Sequence, residues 1–107
     1  MADADVLGEL EGLLRGRVES APHGSYSAGL VRDPERVARK VVEEAYELAV
    51  ELQRPVVDAG RVASESADLV FHVLAGLVGA GVPLDDVLAE LAARRGSRRG
   101  SGPGETR

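Results

Sequence analysis

The 107-residue chain has no cysteine, no tryptophan, one phenylalanine and two tyrosines. Without cysteine there are no disulfides, no thiolate nucleophile and no thiolate–zinc site. Without large aromatics the apolar mass falls to Ala, Val and Leu, small side chains that suit closely packed helices. The formal net charge of −5 lacks the basic excess that duplex nucleic acid demands, so nucleic acid is not an expected partner. The opening "MADADVLGELEGLL" carries Asp3, Asp5 and Glu9 and no basic n-region, so no secretory signal is expected. By eye there is no run of about 18 consecutive apolar residues, so no membrane span is expected. The default is one soluble, cytoplasmic domain.

What remains is helical periodicity. Val6, Leu10, Leu13 and Leu14 lie at helical spacing in a first segment over about residues 4–17, interrupted by Gly8, Gly12 and Gly16. "ESAPHGSYSAGLVRDPE" breaks the period and reads as a loop holding Tyr26. Asp33-Pro34-Glu35 is a helix start, with Asp as N-cap, Pro in the first turn and an acid behind it. The helix it opens runs to about Gln53, with Val37, Val41, Ala45, Leu48 and Leu52 on one face. A third helix, about residues 61–80, is apolar nearly all round and is expected to be buried. A fourth follows over about residues 84–95, and the Gly/Ser/Arg tail over 97–107 is expected to be flexible. The expected fold is an all-α bundle over residues 1–96, built on a long antiparallel pair and completed by a homodimer.

The two central helices also carry acids in unusual places. "KVVEEAYE" (Lys40 to Glu47) and "ESADLVFH" (Glu65 to His72) load carboxylates onto apolar segments. On a helical wheel Lys40, Glu44, Glu47 and Glu51 fall within about 60° of one another, with Glu43 to one side and the apolar stripe about 110° away. Glu65, Asp68 and His72 cluster within a similar arc, about 60°. Neighbouring carboxylates on a helix repel, and an unpaired buried charge costs several kcal/mol. Lys40, Arg39 and Arg61 are too few to cancel them. A hard divalent cation such as Mg²⁺, which takes oxygen ligands and completes its shell with water and phosphate, would supply the missing charge. The competing reading is a pair of solvated acidic faces.

In order along the chain, "SYSAGL" (Ser25 to Leu30), "KVVEEAYE", "ESADLVFH", "GVPLDDVLAEL" (Gly81 to Leu91) and a late "SG" resemble the phosphoribosyl-ATP pyrophosphohydrolases of histidine biosynthesis. These belong to the MazG-like all-α nucleotide pyrophosphohydrolase superfamily. The resemblance implies Mg²⁺-dependent hydrolysis of phosphoribosyl-ATP to phosphoribosyl-AMP and pyrophosphate by a dimeric helical bundle. It implies Glu43, Glu44, Glu47, Glu65 and Asp68 as metal and water-activating carboxylates, with Glu44 or Glu47 acting on the water. Lys40 would face phosphate, Ser25 and Tyr26 would lie on the substrate side, and His72 would close the cup. This chain departs from the usual pattern at Val42, where Gly is usual, at Gly29 for Lys, at Phe71 for Tyr, and in its tail.

Several single residues have more than one reading. Tyr26 stacks on the base or ribose, or it caps the core. His72 contacts phosphate, supports a metal ligand, or is a satisfied core residue. Arg94, Arg95, Arg98 and Arg99 close over polyphosphate, or they belong to a solvated tail. Two alternative functions are a house-cleaning pyrophosphohydrolase of non-canonical nucleoside triphosphates and a non-catalytic helical interaction module whose acids are a docking face.

Overall fold

The computed structural model describes residues 5–20 and 25–101, with side chains absent from the description at 19, 20 and 97–101. Pro22, Gly24, the side chains of Arg98 and Arg99, and the last six residues of the expected tail lie outside it. Among the described residues there are five helices and no strand: α1 (Val6–Ser20), α2 (Tyr26–Val31), α3 (Pro34–Leu52), α4 (Ala59–Ala80) and α5 (Leu84–Ser101).

Local chemistry accounts for most of the boundaries. The Asp33 side chain accepts from the Arg36 N–H at 3.1 Å, and Asp58 does the same for Arg61 at 3.1 Å, so both long helices open on an aspartate cap. Helix α4 stops at Gly81, whose φ of 75° is left-handed. The Gly81 N–H donates to Val78 O and the Val82 N–H to Leu77 O, a Schellman ending that favours glycine. Helix α5 has no capping side chain of its own. The Glu11 carboxylate, from α1, accepts the Leu84 N–H at 2.7 Å instead.

Two expectations about elements need correction. Residues 26–31 are a short helix rather than loop: Ser25 caps it, its Oγ accepting from the Ala28 N–H at 3.4 Å, and Gly29 sits inside it. Six residues are too few to display a helical period, so the cap was the one available signal. The fourth expected helix, α5, also runs beyond its expected end near residue 95, to Ser101.

The core is small. Leu14, Leu30, Val31, Val37, Leu74, Ala75 and Leu84 are buried together, drawing on all five helices. Its main contact is α3 on α4. Arg61 near the start of α4 reaches Glu51 near the end of α3, while Gly76 near the end of α4 meets Val37 near the start of α3. Gly79 lies against α2: a Cβ there would stand 2.5 Å from the Val31 carbonyl oxygen.

Helix α4 is not buried all round, contrary to its composition. Val70 and Val73 are exposed, and only 17% of its most apolar window is covered. By length and composition alone α4 is long and apolar enough to cross a membrane, a test that core helices of soluble proteins also pass. Glu65 and Asp68 interrupt it, and it packs against α1, α2 and α3.

Candidate active site

The helical wheel places the acids of α3 beside its apolar stripe, and the structure turns some of them inward. Glu44 and Glu51 are buried, while Ala45 and Leu52 of the apolar stripe are exposed. The face that α3 turns to α4 thus alternates apolar and acidic residues.

Glu44, Glu47 and Glu65 converge. Each offers a carboxylate oxygen, and the three oxygens lie within 4.8 Å of one another. Glu44 Oε1 and Glu65 Oε1 are buried without a hydrogen-bond partner. Oxygens left this way carry a desolvation cost that a ligand would relieve. Adjacent ligands of an octahedral Mg²⁺ at about 2.1 Å stand about 3 Å apart, and only one pair of three can be opposite at about 4.2 Å, so the trio would draw together to share one hard cation. The donor set is all oxygen, which also suits Mg²⁺.

Burial raises the Glu65 carboxyl above its ordinary pKa, and the charge and hydrogen bonding of Glu47 push it further, followed by the charges of Asp68 and Glu44. Asp68 is thus close enough to be felt, although its carboxylate is not among the three converging groups. Glu43 is half-exposed and lies 3.5 Å from Lys40 Nζ, which is 3.6 Å from Glu44 Oε2. Burial pulls the Lys40 pKa down, but Tyr26, Glu43 and Glu44 outweigh it and hold the ammonium above its usual value.

His72 is buried at 7% exposure with both ring nitrogens engaged. Nδ1 lies 2.7 Å from the Asp68 carbonyl oxygen, which can only accept, so this nitrogen carries a proton. In the neutral ring, Nε2 then accepts from the Tyr26 hydroxyl at 3.0 Å. Phe71 meets the imidazole edge-on at 5.1 Å between centroids. Both ring nitrogens of His72 are thus satisfied within the protein, and Tyr26 joins α2 to α4. The Arg36 guanidinium lies 5.1 Å above the Tyr26 ring and 3.8 Å from where a Cβ on Gly29 would be. Ser25 serves as the α2 cap.

One residue the sequence reading did not weigh is Arg54. Glu51, grouped with the other acids on the wheel, is fully occupied by arginines. Arg54 grips it with Nε at 3.0 Å and Nη2 at 3.2 Å, and Arg61 Nε reaches Oε2 at 3.3 Å. Hydrogen bonding from Arg54 leads in lowering the Glu51 pKa; burial opposes it, and the charges of Arg54 and Arg61 reinforce it. The i,i+3 spacing of Glu51 and Arg54 was the available clue.

The chain is similar to known proteins over most of its length. Residues 7–95 match the family described as phosphoribosyl-ATP pyrophosphohydrolase. The chain is 44% identical over 91 residues to a phosphoribosyl-ATP pyrophosphatase from Metallosphaera sedula, covering 84% of this chain and 96% of that protein. It is 38% identical over 89 residues to one from Methylobacterium nodulans, covering 82% and 81%. It is 41% identical over 93 residues to one from Caulobacter vibrioides, covering 87% and 85%.

Proposed function

The chain belongs to the phosphoribosyl-ATP pyrophosphohydrolase family, and on that premise we propose that it is a cytoplasmic, Mg²⁺-dependent enzyme that hydrolyses phosphoribosyl-ATP to phosphoribosyl-AMP and pyrophosphate in histidine biosynthesis. The observation that carries the reading is the meeting of Glu44, Glu47 and Glu65, with two of their oxygens buried and unpartnered. These three would hold the cation, with Glu43 and Asp68 at its margins. When bound, Mg²⁺ would polarise the phosphate oxygens and offset charge developing on the departing pyrophosphate.

The chain's own groups supply the rest. No cysteine exists, and His72 is engaged at both nitrogens, so water is the nucleophile at the α-phosphorus. Glu44 or Glu47 orients that water and takes its proton. Lys40, kept cationic by its neighbours, faces phosphate. Ser25 and Tyr26 sit on the substrate side, and Tyr26 and His72 hold α2 against α4. Arg36 brings positive charge to the space beside Gly29, where the family's usual lysine is absent, which favours the family substrate over a non-canonical triphosphate. The long helices α3 and α4 form an antiparallel pair. Exposed Val42, Tyr46, Val70, Val73, Leu88 and Leu91 favour a homodimer that covers them.

The test is pyrophosphate release from phosphoribosyl-ATP beside a panel of nucleoside triphosphates, with Mg²⁺ and with chelator. Release confined to phosphoribosyl-ATP and abolished by chelation is the expected result, and Glu47→Gln should remove it without loss of helix. Preference for a non-canonical triphosphate would transfer the site to the house-cleaning reading. No release from any nucleotide would leave an interaction module.

A further inference from the structure

Glu44, Glu47 and Glu65 are like charges drawn from two helices, and in the absence of a cation they push α3 and α4 apart. Lys40 compensates only on the α3 side. Apolar packing of α3 on α4 and the Glu47–Glu65 hydrogen bond work against that repulsion, and a further polar tie beside the cup is the Glu51–Arg61 contact.

Its position matters. Glu51 follows Glu47 by four residues, and Arg61 precedes Glu65 by four, so each lies one helical turn, about 6 Å, from the acid it neighbours. The Glu51–Arg61 contact is therefore the rung next to the Glu47–Glu65 approach. Glu51 is 4% exposed, and both of its oxygens are occupied. Arg54 binds it from the α3 side as a two-pronged grip, leaving Arg61 as the bond that crosses to α4. The Arg61 backbone is itself fixed, since its N–H donates to the Asp58 cap. The link joins a buried carboxylate to an arginine whose backbone is fixed while its side chain is mostly exposed.

We propose that Glu51, Arg54 and Arg61 are positioning residues that hold the acidic cup assembled in the metal-free protein, and so set its affinity for the divalent ion. None of the three is among the converging carboxylates. The inference rests on the cup being a cation site, and the experiment separates the two ideas.

Mn²⁺ binding to the full chain is measured by the loss of its free-ion spin-resonance signal, for the unaltered protein, Arg61→Met, Glu51→Gln and Arg61→Lys. Arg15→Met, whose ion pair with Glu11 lies away from the cup, is the control. Arg61→Met and Glu51→Gln should weaken Mn²⁺ binding about tenfold, the low end of the range for residues that support metal ligands. Arg61→Lys, which keeps the charge, should fall between. In pyrophosphate release the two disrupted variants should need more cation for half-maximal rate but approach the normal kcat once saturated. If Arg61→Met loses helix, Glu51→Gln and Arg61→Lys decide the matter. Lowered thermal stability with unchanged Mn²⁺ affinity in the disrupted variants would make the cluster a mere staple and overturn the proposal. If the unaltered chain binds no Mn²⁺, the cation-site reading itself falls, whatever the variants do.

Discussion

Replacing Gly79 with alanine tests the packing of α2 on α4. In an open helical position, glycine to alanine stabilises by about 1 kcal/mol, because alanine has less backbone freedom to lose. At Gly79 the added methyl would stand 2.5 Å from the Val31 carbonyl oxygen. Even close C–H···O contacts keep carbon and oxygen about 3.3 Å apart. The helices must therefore part by about 0.8 Å, and the obstacle is backbone, which cannot swing aside as a side-chain tip would. Overpacking of this kind costs about 1–3 kcal/mol. Against the helix gain, the net is about 0–2 kcal/mol of destabilisation. Gly12 is the matched control, with nothing within 4 Å of its Cβ position, and Gly12→Ala should stabilise. Urea unfolding followed by helix signal, at one fixed protein concentration, should move the two midpoints in opposite directions with little change in slope. A Gly79→Ala protein as stabilised as Gly12→Ala would show that the close approach of α4 to Val31 is not a constraint, and the placement of Tyr26 over His72 would lose its basis.

Other substitutions probe the site and core. Glu65 has a raised folded pKa, so its contribution to metal-free stability is full below its ordinary pKa and is lost as pH climbs through the raised value; Glu65→Gln should flatten that limb of a pH–stability curve. Glu51 is lowered, so its contribution is present above its ordinary pKa and lost as pH falls through the depressed value; Glu51→Gln should reduce acid sensitivity on that side. Tyr26→Phe removes the hydroxyl that donates to the buried His72 Nε2 and should cost about 1–3 kcal/mol in thermal or urea unfolding. Leu30→Ala, at a fully buried position, should cost about 2–5 kcal/mol by the same measurement.

The parts of the fold legible in the sequence are those encoded locally. Asp33-Pro34 announces the start of α3, and the Gly81-Val82-Pro83 stretch stops α4, because caps and left-handed turns depend on a few adjacent residues. The separate acid pairs of α3 and α4 were equally visible, as were Lys40 and His72. What could not be read was which acids would be answered by which cations. Glu51 and Glu47 look alike on a wheel, yet one is held by two arginines and the other faces Glu65. That difference depends on α4 folding back to bring Arg61 ten residues along the chain to Glu51. Composition also overstated the burial of α4, because an apolar circumference records what a helix can cover, not what the rest of the chain supplies to cover it.

The bond between the Glu11 carboxylate and the Leu84 amide spans 73 positions of the chain. During synthesis, at roughly 5–20 residues per second, Leu84 is made about 4–15 s after Glu11. Until then the carboxylate that caps the last helix has no amide to receive, and Leu14 waits for Leu74 and Leu84 to close over it. Helix α1 is therefore made before α5 and completed only with it. A ribosome that stalls before α5 would hold a nascent chain whose opening helix, weakened by three glycines, is still open to chaperones.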